Sequence, residues 1–588
     1  KKFALSLYFL SPKNYKELKK TIALPSVRSL QLFTQTWNTV PGINEKLFEA
    51  LKVKLSTLPL IERHCVLCAD ETSLKSFLFY DILRDEIIGF EDFGDRKTSV
   101  PAKSALVIMA RSIAGNWKLP VCFCFIETAC PATFLKNIIF DIIIKLKNNG
   151  ALVHAFISDM GSNFIQLSHM LNISVDNSSF VVDGERLVYI FDTPHLLKAT
   201  RNNLLKYNFQ IDNKIASWDH IVEFYKRDSK QWIKAAPALT KSHIEPNNFL
   251  RMKVKYAAQI FSNHVAAGMC TQMSSGFLPT EAVGTIDFID HFDKLFDILN
   301  SSNVNNPKEY GKVFVGSDKQ MQFLENMLNF FNSIKVINDK NKYVKLKCLD
   351  CWQITIKSTI QLWTTLKNFN FPYLRSRRLN QDSLENFFGS VRKQGGNCLN
   401  PTPIQFKRAF KKLFSMKLLE HSETRNCAND NDDLLNIIGT SNTTERPQFQ
   451  NLCLAIHSCA ACQNFINDNK AVLDNTTLYC SFRAYENENG DLFGNLNIPT
   501  NDFCYYIHKL EEIFVKNFEK NCYKQNIGNY LFQLAQNIAF EPPCPDFPKN
   551  FLIKLFLRMH IYYTLSQHNK SCKTITRKNR KLLNILHL

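Results

Sequence analysis

The segment Cys65-Val-Leu-Cys-Ala-Asp70-Glu-Thr-Ser-Leu-Lys75 joins a short apolar run to a carboxylate. An apolar run of this length is consistent with a buried β-strand. A second such run, Ala155-Phe-Ile-Ser-Asp159-Met-Gly-Ser-Asn163, also ends in an aspartate and then turns at Gly161. An aspartate at the end of a strand often forms a turn or caps a helix, so neither residue is diagnostic alone. The pair is more informative, because acids on two neighbouring strands can converge.

A third acidic segment lies far along the chain, in Arg377-Arg-Leu-Asn-Gln-Asp382-Ser-Leu-Glu385-Asn-Phe-Phe-Gly389-Ser-Val-Arg392-Lys-Gln-Gly-Gly396. If this segment is helical, Asp382 and Glu385 share one face while the apolar residues face the core. Two acids on one face repel each other and require compensation by basic residues or by a metal ion. The ordinary explanation is an exposed acidic face. Basic residues flank the acids and either neutralise them or hold a polyanion beside them: Arg377, Arg378, Arg392 and Lys393.

Carboxylates at two strand ends and on one helix, namely Asp70, Asp159 and the pair Asp382 and Glu385, suit a hard cation such as Mg²⁺. Two Mg²⁺ ions about 4 Å apart activate a water or a 3′-hydroxyl and stabilise the leaving oxygen of an in-line displacement at phosphorus. The sequence offers no His/Glu or Ser/His/Asp arrangement of similar coherence. The acids therefore predict metal-dependent chemistry on phosphodiesters.

Changes in hydrophobic period predict an α/β core with a mixed sheet, combined with mainly α-helical regions. A helix is predicted over 131–148, and a polar stretch rich in Asn, Asp, Ser and Thr predicts a linker over 423–445. The region from Pro194 to about Tyr343 is mostly helical, without strand alternation, and reads as an insertion into the core. Strands are predicted at 64–70, 77–83, 104–112, 121–127, 152–157 and 186–191.

The composition favours a nucleic-acid partner. The 72 Lys and Arg residues outnumber the 53 Asp and Glu residues, which gives a formal net charge of +19 and a field that attracts polyanions. The 18 scattered cysteines are too sparse for a disulfide-stapled secreted domain, so a reducing compartment is expected. No apolar run is long enough to predict a membrane span. Because the chain starts at Lys1, we expect an incomplete N-terminus.

Three motifs resemble the P-element-type DNA transposase family, which includes the THAP-domain-linked transposases. The most specific contains the acidic helix and continues to Asn400-Pro401-Thr402, and the resemblance covers roughly residues 5–405. The motifs are Gln381-Asp-Ser-Leu-Glu385-Asn-Phe-Phe-Gly389, Phe191-Asp-Thr-Pro-His195-Leu-Leu-Lys198-Ala-Thr-Arg201-Asn-Asn203 and Met252-Lys-Val-Lys255-Tyr-Ala-Ala-Gln259-Ile-Phe-Ser262.

The resemblance implies an RNase H-like catalytic core interrupted by a GTP-binding insertion. Asp70, Asp159 and Glu385 match the family's three metal-binding catalytic acids, and Asp382 matches an additional acid beside them. In the family GTP organises the protein–DNA complex and is not hydrolysed. The implied GTP-binding residues are Lys198 and, more weakly, Lys214 for phosphate, and Asp297, Asn300 and Phe296 for the guanine base. The family's N-terminal THAP zinc finger and coiled coil do not occur in this sequence.

The resulting expectation is a Mg²⁺-dependent transposase that cleaves DNA strands and transfers 3′-hydroxyl ends, with two Mg²⁺ ions and GTP as a structural cofactor. Its implied partner is double-stranded DNA, both element ends and target, bound by a homo-oligomer in the nucleus, with no membrane association. The alternative is a domesticated or inactive DNA-binding protein that keeps the fold without catalysis. A nuclease without strand transfer is a third option.

The predicted domains follow the motifs. The first 60 residues form a helix-turn-helix-like helical domain or, equally, a structural helical subdomain. The C-terminal unit is helical and basic. The N-terminal domain covers residues 1–60, and the two parts of the core cover 61–193 and 346–422. The insertion covers 194–345, the linker 423–445 and the C-terminal unit 446–588.

Cys-x-x-Cys occurs three times, and only the last pair, Cys459 and Cys462, has further potential ligands nearby. Cys453 and His457 precede it, and His560 or His568 from the C-terminal helix offers a replacement ligand. This spacing makes a Zn²⁺ site possible there, although it is tighter than common zinc-finger loops.

Overall fold

The strand that carries Asp70 lies in the middle of a ten-stranded mixed sheet. The computed structural model describes residues 4, 8, 12–30, 39–396, 398–416, 433–434, 459–466 and 501–585. The strands are β1 (Gly42–Ile43), β2 (His64–Ser73), β3 (Phe79–Asp81), β4 (Glu86–Ile88), β5 (Phe90–Asp92), β6 (Lys97–Pro101), β7 (Ser104–Ser112), β8 (Trp117–Ile126), β9 (Leu152–Ser158), β10 (Ser179–Val182), β11 (Glu185–Phe191), β12 (Asn208–Ile211), β13 (Lys214–Ala216), β14 (Ile334–Ile337) and β15 (Asp433–Leu434).

The main sheet has the order β10-β11-β9-β2-β7-β8-β5-β6. β2 runs parallel to β9 and antiparallel to β7, and β9 runs parallel to β11. β2, β7 and β8 are buried at nearly every position, so both faces of the sheet are covered, which explains why these strands read as continuous apolar runs. The predicted mixed-sheet α/β core is confirmed.

Helices cover the sheet and build the other units. They are α1 (Pro12–Thr21), α2 (Glu45–Ser56), α3 (Ala132–Asn148), α4 (Ser162–Met170), α5 (Thr193–Leu204), α6 (Trp218–Asp228), α7 (Lys241–Ile244), α8 (Asn248–Arg251), α9 (Val254–Ile260), α10 (Asn263–Ser274), α11 (Val283–Leu299), α12 (Asp318–Ser333), α13 (Lys347–Lys367), α14 (Asp382–Gln394), α15 (Pro403–Met416), α16 (Ala460–Ile466), α17 (Asn501–Asn521), α18 (Ile527–Gln536) and α19 (Lys549–Ile585). Short 3-10 helices span Leu60–Arg63, Thr280–Ala282 and Ser376–Leu379.

Helix α13 packs on β11 and closes the core behind the insertion. The backbone N–H of Phe191 donates to the Thr355 hydroxyl at 3.1 Å, and the Ser358 hydroxyl donates to the carbonyl of Tyr189 at 2.6 Å. Trp352 is fully buried and donates to Thr200 of α5. The chain therefore returns from the insertion directly onto the sheet.

The insertion contains a small sheet that the sequence analysis missed. β12 pairs with β13 and with β14, all antiparallel. Each strand has at most four residues, which is too short for an alternating pattern to be visible, and β14 comes from the far end of the insertion. Most of the rest of the insertion is helical, as predicted.

The predicted strand over 77–83 is wrong in extent. Only Phe79–Asp81 is extended, and it pairs with β4 in a separate two-stranded hairpin. Asp85, with a φ of 50°, turns this hairpin. Its side chain accepts hydrogen bonds from Gly528 N at 2.7 Å and Asn529 N at 2.8 Å. The hairpin therefore contacts the C-terminal helices.

The N-terminal sixty residues divide between two places. α2 packs into the main core through Leu47, Phe48, Leu51 and Leu55, and β1 pairs with β8. Ala4, Tyr15 and Leu30 form a separate small cluster. Of the predicted helix-turn-helix-like domain, the part that contains β1 and α2 thus packs on the sheet. Residues 31–38, which include the helical segment through Trp37, and the predicted linker over 423–445, apart from Asp433 and Leu434, lie outside the described residues.

Candidate active site

The first two predicted acids lie side by side at one edge of the main sheet. Cys68 of β2 is paired with Ile157 of β9 in parallel register. Asp70 and Asp159 each come two residues later, so they share this edge. Asp159 Oδ1 accepts the backbone N–H of Gly161 at 2.8 Å, and Asp70 Oδ1 accepts that of Glu71 at 2.7 Å.

Helix α14 is held over the same edge by the residue that precedes it. The Gln381 side-chain amide donates to the carbonyl of Ala69 at 2.6 Å, and its backbone N–H donates to the carboxylate of Asp192 at 2.7 Å. Further along the helix, Arg392 donates to the Thr72 hydroxyl at 3.2 Å. Glu385, in the first turn, therefore lies next to the strand ends.

Electrostatics show that the three acids share one neighbourhood. Burial, together with the charges of Asp159 and Glu385, raises the pKa of Asp70 to about 7 against the opposing effects of the Glu71 backbone N–H and His195. Burial also raises the pKa of Glu385. The structure therefore brings together Asp70, Asp159 and Glu385, which the sequence places 89 and 226 residues apart.

These three carboxylates have no ion-pair partner among the residues that the structure describes. Two cations act on them from α5: His195 and Lys198. Burial lowers the pKa of Lys198, although the charges of Glu385 and Asp192 oppose this effect. The cluster therefore keeps an excess of negative charge, and its all-oxygen donor set fits a hard divalent cation.

Asp192 is a buried carboxylate that organises the site and that the sequence analysis did not assign. It accepts from His195 N at 2.9 Å, from His195 Nδ1 at 2.6 Å and from Gln381 N at 2.7 Å. Burial disfavours its charge, but the hydrogen bonds and charge of His195 hold the pKa of Asp192 below its usual value. Burial likewise disfavours the His195 cation, yet Asp192 raises the pKa of His195 to about 9. The sequence does carry one signal for this residue, because Asp192 directly follows the predicted strand over 186–191.

The fourth predicted acid, Asp382, is paired with a base. Arg377 Nε and Nη2 both lie 3.2 Å from Asp382 Oδ2. The neighbouring Arg378 is buried and donates to the carbonyls of Ser112 and Gly115. The flanking arginines thus have two different tasks, one neutralising an acid and the other anchoring the segment before α14.

Part of the predicted guanine-binding segment lies close to this helix. Asn300 Oδ1 accepts from Asn380 Nδ2 at 3.2 Å, and Asn380 Oδ1 in turn accepts from Asp382 N at 3.1 Å. Phe296 is partly buried against the core. Asp297 Oδ2 lies 2.8 Å from Lys308 Nζ.

Lys214 lies elsewhere on the insertion. Its Nζ is 2.6 Å from Asp287 Oδ2. Asp287 and Asp297 are ten residues apart on α11, which is a rise of about 15 Å along a helix. The structure therefore does not bring Lys214 to the segment that contains Phe296, Asp297 and Asn300.

The cysteine pairs also differ in their surroundings. Cys544 lies beside Cys459 and Cys462, and the three sulfur atoms lie within 4.8 Å of one another. Cys544 was not among the ligands considered from the sequence. Of those, His560 stacks on Phe556 and lies 3.9 Å from Glu511, and His568 contacts Cys572. Cys453 and His457 lie outside the described residues.

Fold and site together define an RNase H-like protein with an insertion domain. Family models match three parts of the chain: the TNP-like RNase H N-terminal domain over residues 39–172, the TNP-like GTP-binding insertion domain over 194–313 and the TNP-like RNase H C-terminal domain over 378–411. These matches coincide with the sheet, the insertion and the acidic helix.

Two curated proteins are similar to most of the chain. The chain is 29% identical over 437 residues to the Transposable element P transposase of Drosophila melanogaster, covering 73% of this chain and 55% of that protein. It is 27% identical over 441 residues to the DNA transposase THAP9 of Homo sapiens, covering 70% of this chain and 48% of that protein. The chain thus spans about half the length of these relatives.

A solved structure agrees with the fold. The chain in the Drosophila P element transposase strand transfer complex superposes with a TM-score of 0.62 at 28% identity, covering 70% of this chain and 90% of that chain. The protein belongs to the P-element-type transposase family.

Proposed function

We propose that the chain is a P-element-like transposase that cleaves DNA strands and joins 3′-hydroxyl ends to target DNA in a Mg²⁺-dependent reaction. The observation that carries this proposal is the group of three carboxylates at one sheet edge, Asp70, Asp159 and Glu385, which have no ion pair among the described residues. Carboxylates gathered in one place repel one another, and His195 and Lys198 offset only part of their charge, so the site suits a bound divalent ion.

The three carboxylates would hold the metal, with Asp382 beside them. When bound, two Mg²⁺ ions supply a polarised attacking oxygen and stabilisation of the leaving oxygen. The protein's own contribution is to hold its acids in one place. Gln381 ties α14 to β2 and to Asp192, and the His195–Asp192 pair fixes the start of α5 beside them.

Lys198, which the resemblance assigns to the phosphate of GTP, lies next to the metal-binding acids, where it would also attract a phosphate of DNA. It is a partly buried cation whose charge interacts with Glu385, Asp192, Asp159 and Asp70. A phosphodiester placed there would be attracted by Lys198 and His195 and by the net positive charge of the chain. Double-stranded DNA, both element ends and target, is the proposed partner, and the need to hold two ends implies a homo-oligomer that acts in the nucleus.

The insertion would bind GTP as a structural cofactor. Its donor set fits the nucleotide, since an aspartate accepts from the guanine N1–H and exocyclic amine, an asparagine assists and lysines contact phosphate. Asn300 is linked through Asn380 to the start of α14. Nucleotide bound at Asp297 and Asn300 would therefore be coupled to the helix that carries Glu385. Lys214, paired with Asp287, would have to exchange partners to take part.

The test is a cleavage and joining assay with DNA that carries the ends of the encoding element. Wild-type protein is expected to form cleaved and joined products only with Mg²⁺, and Asp70→Asn and Glu385→Gln are expected to form neither. Both variants keep the size of the side chain, so retained DNA binding would show that they fold. Equal products from the variants and wild type would refute the catalytic assignment.

Two other outcomes would identify the competing functions. Salt-sensitive DNA binding that is indifferent to Mg²⁺, with no products from wild type, would indicate a domesticated DNA-binding protein. Cleavage without joining would indicate a nuclease. Asp293→Asn is the matched control, because Asp293 is an acid of the insertion paired with Lys308, and we expect it to leave cleavage unchanged.

A further inference from the structure

Three cysteines far apart in sequence meet in the C-terminal part of the protein. Cys462 Sγ and Cys544 Sγ are 3.1 Å apart and are separated by 82 residues. Cys459 completes the group, with all three sulfur atoms within 4.8 Å of one another. Cys459 immediately precedes α16, Cys462 lies in its first turn, and Cys544 lies in the loop between α18 and α19.

The other two Cys-x-x-Cys pairs provide a comparison within the same chain. Cys65 and Cys68 are fully buried on β2, and Cys348 and Cys351 are buried on α13. Among the residues that the structure describes, neither pair belongs to a group of three metal-ligating side chains, whereas the Cys459 pair does. The first two pairs pack as small apolar side chains. The third pair lies beside an additional thiol, that of Cys544.

The cluster is enclosed on one side and open on the other. Cys462 is buried, whereas Cys459 and Cys544 are partly exposed. Phe465, one turn after Cys462, packs on Phe540 at 5.6 Å and on Phe547 at 5.8 Å between ring centroids. These two rings flank Cys544 in sequence, so the aromatic contacts hold the loop and α16 together around the sulfur atoms.

Backbone groups also point at the cluster. The N–H groups of Ala461 and Cys462 donate to the sulfur of Cys459. Cys544 lies between Pro543 and Pro545, whose fixed φ angles restrict the backbone of the loop. N–H donors suit a thiolate, and a restricted loop holds Cys544 in position.

We propose that Cys459, Cys462 and Cys544 bind one Zn²⁺ ion that fastens α16 to the loop before α19. Zinc–sulfur bonds are about 2.3 Å long, so two sulfur atoms of a tetrahedral site lie about 3.8 Å apart. The observed separations, from 3.1 Å to below 4.8 Å, bracket this value. Zn²⁺ replaces the three thiol protons, which are released to solvent. A further ligand would fill the fourth position.

The site would act as a structural clasp and does not depend on the proposed catalysis. α16 has seven residues, which is too few for a stable helix on its own. Metal ligands that come from both sides of a long stretch of chain restrict the unfolded state and add their binding free energy to folding. The zinc would therefore fix the short helix on the C-terminal helical unit.

The test is metal analysis of the full chain, expressed with zinc and purified with a non-chelating reductant. We expect about one zinc per chain in the wild type by mass spectrometry of the metal. Cys544→Ser is expected to reduce this to background, and Cys544→His to retain it, because imidazole is also a zinc ligand. Cobalt substitution is expected to show a thiolate charge-transfer band that Cys544→Ser weakens.

The matched control is Cys572→Ser, since Cys572 is a partly exposed cysteine of the same helical unit that is absent from the cluster, and it is expected to keep the zinc. Circular dichroism of each variant separates metal loss from unfolding. The proposal is overturned if the reduced wild type contains no zinc, if folded Cys544→Ser keeps a full equivalent, or if peptide mapping finds a Cys462–Cys544 disulfide. None of these results bears on DNA cleavage.

Discussion

Two groups of acids in this molecule have opposite electrostatics. At the sheet edge, Asp70, Asp159 and Glu385 come from three separate elements and meet without an ion-pair partner among the described residues. On α11 of the insertion, Asp293 and Asp297 share one helix and both pair with Lys308, at 3.2 and 2.8 Å.

The difference separates carboxylates that need a bound cation from carboxylates that a nearby lysine neutralises. Lys308 satisfies the insertion acids locally, so they need no further ion. The sheet-edge acids are held together by hydrogen bonds made by other residues, chiefly Gln381 and Asp192. Their repulsion is therefore imposed by the fold, which is what a cation site requires. The following predictions test this contrast, from the largest expected effect to the smallest.

Asp192→Ala is expected to lower the free energy of unfolding by about 3 kcal/mol, because it leaves His195 and Gln381 without their buried partner. The pKa of His195 is raised in the folded state, so the stability from this pair is fully present below about pH 6.5 and is lost as the pH rises through about 9. Urea unfolding of the wild type and of Asp192→Ala at pH 6 and pH 10 measures the loss of unfolding free energy.

The difference between wild type and Asp192→Ala should shrink at the higher pH. Asp176→Ala, at an exposed loop position, serves as the control and is expected to change stability by less than about 0.5 kcal/mol. An Asp192 effect independent of pH would mean that the charge of His195 contributes nothing.

Asp70→Asn is expected to stabilise the metal-free protein by about 2 kcal/mol at pH 8. The folded pKa of Asp70, about 7, lies above its unfolded value, so folding takes up a proton and stability falls as the pH rises from about 4 through 7. Each pKa unit is worth about 1.4 kcal/mol, reduced here for partial exposure. Thermal unfolding at pH 4 and pH 8, with and without Mg²⁺, measures this.

Added Mg²⁺ should raise the unfolding temperature of the wild type at pH 8 and have little effect on Asp70→Asn. The corresponding change in the insertion, Asp293→Asn, should show no such response to Mg²⁺. Destabilisation by Asp70→Asn at pH 8 would contradict the view that repulsion dominates at the sheet edge.

Asp297→Asn is expected to reduce the preference for GTP over ATP by about tenfold, since one charge-assisted hydrogen-bond acceptor for guanine is lost. Competition binding with labelled GTP measures this, and Asp290→Asn on the same helix is the control. An unchanged preference would refute the guanine-binding role and leave Asp297 as a structural partner of Lys308.

Lys308→Ala is expected to lower the free energy of unfolding by less than about 1 kcal/mol, because its ion pairs are partly exposed. Chemical unfolding at low and high salt measures the effect, which should be smaller at high salt. A loss several times larger would mean that the insertion acids are as poorly compensated as those of the sheet edge, and the contrast would fail.

Most of the core could be predicted because its signals are local. β7, β9, β11 and α3 lie within one residue of their predicted ranges, since buried strands and amphipathic helices impose their period on the sequence. The true extent of the strand at 77–83 and the small sheet of the insertion could not be predicted, because strands of three or four residues are too short to show a hydrophobic alternation. Periodicity indicated the insertion, and the resemblance to the transposase family added the expectation that it binds GTP.

The sequence by itself determined which residues are acidic, where strands end and which family the motifs resemble, because these are properties of short segments. Only the tertiary structure decided that Asp70, Asp159 and Glu385 share one neighbourhood, that Asp192 and Gln381 hold them there and that Cys544 joins Cys459 and Cys462. These relations connect residues tens to hundreds of positions apart. They depend on strand register and helix packing, which the order of residues along the chain does not display.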